Sequence, residues 1–309
     1  MVLPEKVEGG ATWGKGPAAI LPVPVGKADV AQIYSLEDVE VLGPGGYVIY
    51  GEPGSGKTVL WSTFTPPFRV IDGDYGLKSL HWAFKSGKSA LHCAGRHCIE
   101  AYRPIEKDTY PVQPEALDRM CDMIAHWFSP AEVNNWQTLV IDSATEANMW
   151  AIYKGLHLNG QLPKPEKSLS VSDSINERAK SLVLTGQQDY KSAEGLFMGA
   201  ITDIRVDCAK YGKDLVLVCH QWNDTEEKDG VVRIIGSRPW LIGQLRTRIV
   251  KDFDDVWHTQ MYNGKDCRIQ MHESPTIIAK TRWGSIPEIE KDMDYRKMME
   301  RVRAFHGIK

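Results

Sequence analysis

Several protein classes are excluded by what this sequence lacks. Its six cysteines are scattered without the spacing of a disulfide scaffold, which suits a reducing cytoplasm. No apolar run approaches the roughly 20 residues that span a bilayer, and Met1–Gly16 contains no apolar segment typical of a secretory signal. The formal net charge is −3, so no overall basic field points to nucleic acid. These absences predict a cytoplasmic protein without membrane partners, in which any anion-binding site is local.

One glycine-rich segment is the clearest positive signal. Residues 51–58 read Gly-Glu-Pro-Gly-Ser-Gly-Lys-Thr and match the G-x-x-x-x-G-K-[ST] phosphate loop in full. In such a loop the backbone N–H groups surround phosphate oxygens, the lysine reaches the β- and γ-phosphates, and the last hydroxyl binds Mg²⁺. A strand is predicted before the loop, at 47–50, and a helix after it, at 58–64. The predicted nucleotide-binding residues are Gly51, Pro53, Gly54, Ser55, Gly56, Lys57, Thr58 and Val59.

Short apolar strands alternate with helices through most of the chain. This order predicts an α/β fold with a mostly parallel twisted sheet and helices on both faces. Further strands are predicted at 68–71, 138–141, 215–219, 255–262, 267–272 and 275–280, further helices at 114–128, 143–157, 189–211 and 288–305, and a loop-rich stretch at 230–251. The predicted domains are a Pro- and Gly-rich extended arm at 1–45, the core at 46–287 and a C-terminal helix at 288–309.

Acidic residues follow two of the predicted strands, and the carboxyl ends of parallel strands meet at one edge of a sheet. Asp142 is predicted to hold Mg²⁺ through water, and capping of the next helix is the alternative role. Asp72 and Asp74 lie two residues apart, so both point the same way if the strand continues. One of them can orient and deprotonate an attacking water, and Asp74 is favoured over Asp72. The alternative is that Asp-Gly-Asp is only a turn.

A third polar strand end is formed by His220 and Gln221, which follow the strand at 215–219. An imidazole or amide at this position can sense a γ-phosphate and transmit its presence to the following loop. A histidine that follows a strand can also have a purely structural role.

The order of these motifs resembles the RecA-like ATPase core of P-loop NTPases. It resembles more closely the phage-encoded single-strand-annealing ATPases, over roughly residues 40–285. This resemblance implies ATP as the nucleotide and places Asp74 at the position of the catalytic acid, where family members mostly carry the longer Glu. Gln221 is the residue expected to link the γ-phosphate to the loop that follows. His81 falls near the family's adenine-stacking aromatic, and Trp82 is the alternative.

A basic pair near the end of the core resembles the K-x-R finger of RecA-like hexameric ATPases. If the segment is an extended strand, Lys280 and Arg282 project the same way and can reach a γ-phosphate held by a neighbouring subunit. An arginine supplied in this way makes hydrolysis depend on assembly. The alternative is that both residues are solvated on an edge strand.

The segment 231–251 contains basic residues and a tryptophan but no acid, and it follows the Gln221 strand end where RecA-like proteins place a DNA-binding loop. Arginine binds phosphates and tryptophan stacks on bases. The predicted nucleic-acid contacts are Arg233, Arg238, Trp240, Arg246 and Arg248. Single-stranded DNA is favoured because no groove-reading helix is evident. A solvated basic loop is the alternative, and the neighbouring acids at 224–229 weaken any simple basic patch.

Together these signals predict a DNA-stimulated ATPase that assembles as a ring or filament on single-stranded DNA and assists annealing or recombination. A single-strand-binding protein is a further expected partner, and a bacterial host cytoplasm is the expected location if the protein is phage-encoded. The extended arm at 1–45 is expected to dock on a neighbour. The alternatives are a hexameric helicase and a nucleotide-switched assembly module without DNA. Zinc is not predicted for His92, Cys93, His97 and Cys98, because adjacent His-Cys pairs cannot easily converge on one ion.

Overall fold

A nine-stranded sheet forms the centre of the described structure. The computed structural model describes residues 44–80, 98–105, 114–160, 187–264, 266–283, 287, 289–291 and 293–307. The strands are β1 (Gly46–Gly51), β2 (Phe68–Asp72), β3 (Ile99–Tyr102), β4 (Thr138–Asp142), β5 (Asp214–Lys228), β6 (Val231–Pro239), β7 (Asp255–Tyr262), β8 (Asp266–Gln270) and β9 (Ile289–Glu290). The helices are α1 (Lys57–Trp61), α2 (Ala116–Trp127), α3 (Ala144–Leu158), α4 (Gln187–Lys210), α5 (Leu245–Asp252) and α6 (Tyr295–His306), with a 3₁₀ turn at Val133–Asn135.

The strand order places the ends of four strands side by side. The order is β3-β2-β4-β5-β1-β7-β8-β9, and β6 pairs with β5 outside this path. Neighbours from β3 to β7 in this order pair in parallel, whereas β8, β9 and β6 join by antiparallel pairing. Gly51 lies opposite His220, and Asp72 lies opposite Asp142. The polar strand ends therefore meet at one edge of the sheet, which we call the carboxyl edge.

Both faces of the sheet are covered by helices. Alternate residues of a strand point to opposite sides of the sheet, so each strand contributes side chains to the core on either face. Val48 and Tyr50 of β1 are buried in a core shared with α2, α3, α4 and α5. Tyr47 and Ile49 are buried on the other face with residues of α1 and α6. The Tyr295 hydroxyl of α6 lies 3.0 Å from that of Tyr47. The predicted α/β fold with helices on both faces is confirmed.

The prediction of a loop at 230–251 is wrong, since this segment forms β6 and α5. Strand β5 continues past its buried part to Lys228, and β6 returns along it as an exposed hairpin. The turn residues Asp229 and Gly230 have φ values of 57° and 73°. Asp-Gly is a favoured pair for two-residue hairpin turns that need positive φ. The Asp-Gly turn could therefore be recognised from the sequence. The strand before the turn was not predicted, because this extension of β5 is polar.

The predicted strand at 275–280 is also wrong. Ile277 forms isolated bridges with Ser237 and Ser274, and Lys280 forms one with Val256. The segment therefore touches β6 and β7 in turn and does not pair along one strand. The closing helix begins only at 295, because Ile289–Glu290 first pairs with β8. Among the described residues, no helix has the length and apolar character needed to cross a membrane.

Candidate nucleotide site

The phosphate loop connects β1 to α1 at the carboxyl edge. Gly54 and Gly56 have φ values of 80° and 88°, a conformation that side chains other than glycine rarely adopt. Gly56 is the residue directly before the first turn of α1. The Lys57 ammonium folds back over the loop and donates to the carbonyl oxygens of Gly51 and Glu52, both at 2.8 Å. The loop therefore has the backbone shape and the cation that the motif predicts.

The start of the loop is packed tightly against β7. The Ser55 and Thr259 hydroxyls lie 2.7 Å apart. A Cβ atom added to Gly51 would lie 2.2 Å from the Thr259 carbonyl oxygen and 2.7 Å from Ser55 Oγ. Because the nearest of these atoms belongs to the backbone of a buried strand, it cannot move aside easily. Close packing against β7 therefore requires glycine at position 51.

We expect Gly51→Ala to lower the free energy of unfolding by about 1–3 kcal/mol, the usual cost of overpacking. Denaturant unfolding measures this change. Gly199→Ala is the matched control, since Gly199 is exposed on α4 and nothing lies within 4 Å of its added Cβ. That control should gain about 0.5–1 kcal/mol from helix propensity. Equal stability of the Gly51→Ala variant and the wild type would contradict the close packing.

Asp142 lies beside the loop at the end of β4. The Thr58 hydroxyl and the Trp61 indole N–H both donate to its Oδ2, at 3.2 and 2.9 Å. Burial raises the pKa of Asp142 to about 6, and the nearby charge of Asp74 contributes. Ser143 caps α3 by accepting from the Glu146 N–H at 3.2 Å. The alternative role of Asp142 as the helix cap is thereby removed, and its carboxylate is left to face the phosphate loop.

Asp72, the last residue of β2, and Asp74, which follows the strand, differ sharply in their surroundings. Asp72 is buried and accepts from Arg103 Nε at 2.7 Å, so its carboxylate already forms an ion pair with that arginine. Asp74 is partly exposed, and its Oδ2 lies 3.4 Å from Nε2 of His220. The hydrogen bond from that imidazole is the main reason that the pKa of Asp74 is lowered. Asp74 is therefore the more accessible of the two carboxylates, and its role as the base stays a prediction.

Gln221 does not face Asp74. Its Oε1 lies 2.8 Å from Nε2 of His258, and its Nε2 donates to Asn223 and Ser237 at 2.6 and 3.2 Å. Burial lowers the pKa of His258 to about 4, so this imidazole is neutral near pH 7. The amide of Gln221 thus belongs to a network between β7 and the hairpin. The residue of this strand end that faces Asp74 is His220.

The predicted nucleic-acid residues are divided between the hairpin, the turn after it and α5. Arg238 forms an ion pair with Asp224 on the opposite strand of the hairpin, and Arg248 of α5 lies 3.7 Å from Glu194 of α4. Arg246 donates to the Gly243 carbonyl oxygen at 2.9 Å. Arg233 is exposed on β6, opposite Glu226 in the pairing register.

Trp240 follows the hairpin directly and lies near a second tryptophan that the prediction did not include. The ring centroids of Trp222 and Trp240 are 5.9 Å apart, and the residues are 43% and 46% exposed. The two rings form an exposed aromatic pair at the base of the hairpin, beside the carboxyl edge. Trp222 was missed because it lies in the polar extension of β5, beyond the strand that was predicted at 215–219.

The basic pair lies at the opposite edge of the sheet from the phosphate loop. The Lys280 ammonium donates to the Lys251 carbonyl oxygen at 3.2 Å, and Arg282 pairs with Asp254 at 2.7 Å. Asp254 in turn accepts from the N–H of Gly46, the first residue of β1. Since the loop begins at the far end of this six-residue strand, the two sites are separated by roughly 16 Å of strand. Lys280 and Arg282 are therefore distant from the nucleotide site of their own chain.

Some predicted residues lie outside the described part of the chain. They include His81 and Trp82, the two candidates for an adenine-stacking residue, and residues 1–43 of the predicted arm. His92, Cys93 and His97 are also outside it, while Cys98 is described and is a free cysteine. Within the described ranges, no group of three or more His, Cys, Asp or Glu residues is placed to hold a metal ion.

A phosphate loop after a central parallel strand, with an aspartate from a neighbouring strand against its threonine, defines a P-loop NTPase. Comparison with family models agrees with this class. The AAA_24 model, described as an AAA domain, matches residues 45–283, and the chain belongs to this family. It therefore carries an AAA-type ATPase domain, for which nucleotide binding and hydrolysis are the general activity. None of the curated proteins matches the sequence.

ATP and Mg²⁺ are the ligands that this family generally implies, and the residues present fit both. The positive-φ glycines and Lys57 fit a polyphosphate chain. The Thr58 hydroxyl and the Asp142 carboxylate, 3.2 Å apart, provide the oxygen ligands that Mg²⁺ prefers. When bound, Mg²⁺ would supply positive charge that neutralises part of the phosphate charge. Here Thr58 would bind the ion directly and Asp142 would orient its water shell.

Proposed function

We propose that this ATPase assembles on single-stranded DNA and couples ATP hydrolysis to annealing or recombination. The observation that carries the proposal is the exposed pair of Trp222 and Trp240, which lies directly beside the Asp74–His220 contact. The Trp240 N–H donates to the His220 carbonyl oxygen at 2.8 Å. A surface suited to stacking on bases thus shares backbone contacts with the edge of the sheet where hydrolysis is expected.

Each residue of the site has a distinct role in the proposed reaction. Lys57 stabilises the charge on the β- and γ-phosphates, and Asp74 orients the attacking water. The water gives its proton to the Asp74 carboxylate as its oxygen bonds to the γ-phosphorus and the bond to the bridging oxygen of ADP breaks. Burial raises the pKa of Asp142 to about 6, which is still below neutral pH, and Trp61, Thr58 and the Lys57 charge favour the ionised form, so the side chain is mostly a carboxylate beside the phosphate loop.

Aromatic stacking is the main proposed source of DNA affinity. Arg233 adds exposed positive charge and Arg246 adds charge that is partly buried, whereas Arg238 is partly neutralised by Asp224. Stacking depends little on base identity, because every base has a π-face. We therefore propose binding with little sequence preference and a moderate dependence on salt.

A neighbouring chain is proposed to complete the site. Lys280 and Arg282 are too far from their own phosphate loop to contact its γ-phosphate, but they lie at a surface where a second copy can approach. The Arg282 side chain is 66% exposed, and exposed ion pairs such as Arg282–Asp254 are weak enough to exchange partners. ATP hydrolysis would then require assembly.

We expect Trp222→Ala to weaken single-stranded DNA binding by about 5- to 150-fold, which corresponds to the 1–3 kcal/mol of one stacked base. Fluorescence anisotropy with a labelled oligonucleotide measures this change. Trp222→Phe should retain most of the affinity because it keeps an aromatic face. Phe305→Ala removes an aromatic residue that is 67% exposed on α6 and should have no effect. Wild-type affinity in Trp222→Ala and Trp240→Ala would exclude the stacking surface.

The proposed function as a whole is tested by steady-state ATP hydrolysis with and without single-stranded DNA, combined with mass measurement by light scattering. We expect DNA to stimulate hydrolysis and ATP to increase the mass. If the protein hydrolyses ATP but neither binds single-stranded DNA nor is stimulated by it, the assignment as an ATPase stands and the proposed role on DNA is rejected. Unwinding of a forked duplex would indicate the helicase alternative.

A second function is favoured by the tip of the hairpin. Val231, Val232, Ile234 and Ile235 are all at least half exposed there, and Glu227 lies opposite Val232 in the pairing register. Exposed apolar residues of this kind are typical of protein contacts. A nucleotide-switched module that binds protein and not DNA is therefore the second candidate, and an ATP-dependent increase in mass without DNA binding would support it.

A further inference from the structure

His220 is anchored on both sides of its backbone. Its N–H donates to the Thr145 hydroxyl at 3.0 Å, and its carbonyl oxygen accepts from the Trp240 N–H at 2.8 Å. The Thr145 hydroxyl donates in turn to the Trp240 carbonyl oxygen at 3.0 Å. These bonds join β5 at His220 to the first turn of α3 and to the base of the hairpin. The backbone that carries the imidazole is therefore held in one position.

The imidazole lies among carboxyl groups. Its Nε2 is 3.4 Å from Asp74 Oδ2, and Glu146 in the first turn of α3 is near enough to interact with it electrostatically. Asp142 is near enough for its charge to interact with that of Asp74. Like charges in this space repel each other, so Asp74 needs a donor to hold one orientation. His220 is the side chain that provides it.

We propose that His220 is a positioning residue for hydrolysis, which orients the Asp74 carboxylate toward the attacking water. The nucleotide itself is bound by the phosphate loop, so His220 should act on the chemical step and not on ATP affinity. A side chain with an anchored backbone and one contact to a catalytic group is the arrangement that preorganises that group. This inference rests on the proposed role of Asp74 as the base.

A double-mutant cycle in the full-length protein, measured without DNA, tests the inference. We expect His220→Ala to lower kcat about 10- to 100-fold, the usual effect of removing a supporting hydrogen bond, with less than about a threefold change in KM. Asp74→Asn should lower kcat about 10²- to 10⁴-fold. Because His220 acts through Asp74, the double variant should be no slower than Asp74→Asn alone.

Two further variants separate positioning from folding. His220→Gln retains an N–H donor near the Nε2 position and should recover most of kcat. Thr145→Val removes the anchoring hydroxyl and should lower kcat less than His220→Ala does. In a variant that also carries Asp74→Asn, Thr145→Val should cause no further loss of kcat. His126→Ala, on the exposed side of α2, is the control for replacing a histidine and should behave as wild type. Thermal unfolding of each variant confirms that it is folded.

The outcomes distinguish this inference from the function on which it rests. Additive losses in the double variant would mean that His220 acts independently of Asp74, which overturns the inference alone. A His220→Gln variant as slow as His220→Ala would also overturn it, because the donor would then be irrelevant. Wild-type kcat in Asp74→Asn would reject the proposed catalytic role of Asp74, and the inference with it.

Discussion

Replacement of Arg282 by alanine is expected to lower kcat for ATP hydrolysis by about 10³-fold or more, the usual contribution of an arginine supplied by a neighbouring subunit. ATP binding should change little, because Arg282 lies at the opposite edge of the sheet from the phosphate loop of its own chain. Folding should also change little, since the Arg282–Asp254 pair is exposed and such pairs contribute about 0–1 kcal/mol. Steady-state hydrolysis and nucleotide titration measure the two effects.

Mixing of variants shows whether Arg282 acts on its own chain or on a neighbour. Equal amounts of Arg282→Ala and Lys57→Ala chains should regain part of the activity that neither has alone. At some interfaces of the mixed assembly, an intact phosphate loop then meets an intact Arg282. Arg296→Ala is the matched control, because Arg296 also pairs with an aspartate, Asp294 at 3.3 Å, on the surface. It should hydrolyse ATP as wild type does.

Either of two results would reject the proposal of a shared site. Normal hydrolysis by Arg282→Ala would show that the arginine has no catalytic role. A slow Arg282→Ala variant that is not rescued by mixing would show that the residue acts within its own chain. In that case the separation between the two edges of the sheet would have to close by a large rearrangement.

Lys57→Ala is expected to lower kcat by about 10²- to 10³-fold, as loss of one preorganised electrostatic contact does, and to weaken ATP binding as well. Lys57 is the phosphate-loop cation, and it also acts on Asp74 and Asp142. Burial lowers the pKa of Lys57, while these carboxylates oppose that shift. Removing the ammonium therefore takes away the contact with the phosphates and leaves two acids without their compensating charge.

Nucleotide titration and steady-state hydrolysis measure the effect of Lys57→Ala. Lys154→Ala is the control, since Lys154 forms an ion pair with Asp118 between α3 and α2, away from the carboxyl edge. Only the Lys57 variant should lose activity. If Lys57→Ala binds and hydrolyses ATP normally, the phosphate loop is not the nucleotide site and the AAA-type assignment of the activity fails.

The elements of the buried sheet could be predicted closely, whereas the exposed hairpin could not. Strands β1, β2 and β4 are short and mostly apolar, because parallel strands inside the sheet are buried on both faces. The extension of β5 is polar, and β6 mixes apolar and basic residues in the open. Their pairing depends on the Asp229–Gly230 turn and on contact between the two strands, so hydrophobic periodicity does not reveal it.

By itself, the sequence determined the phosphate loop, the α/β class and the acidic strand ends, because these depend on residue type, short spacing and periodic burial. Only the tertiary structure decided which polar groups meet. The Asp72 carboxylate pairs with Arg103, which follows the next strand in the chain. Asp74 instead lies next to the His220 imidazole. Gln221, one residue from His220, is held by His258 of β7. These partners are distant in sequence, and the order and register of the strands bring them together.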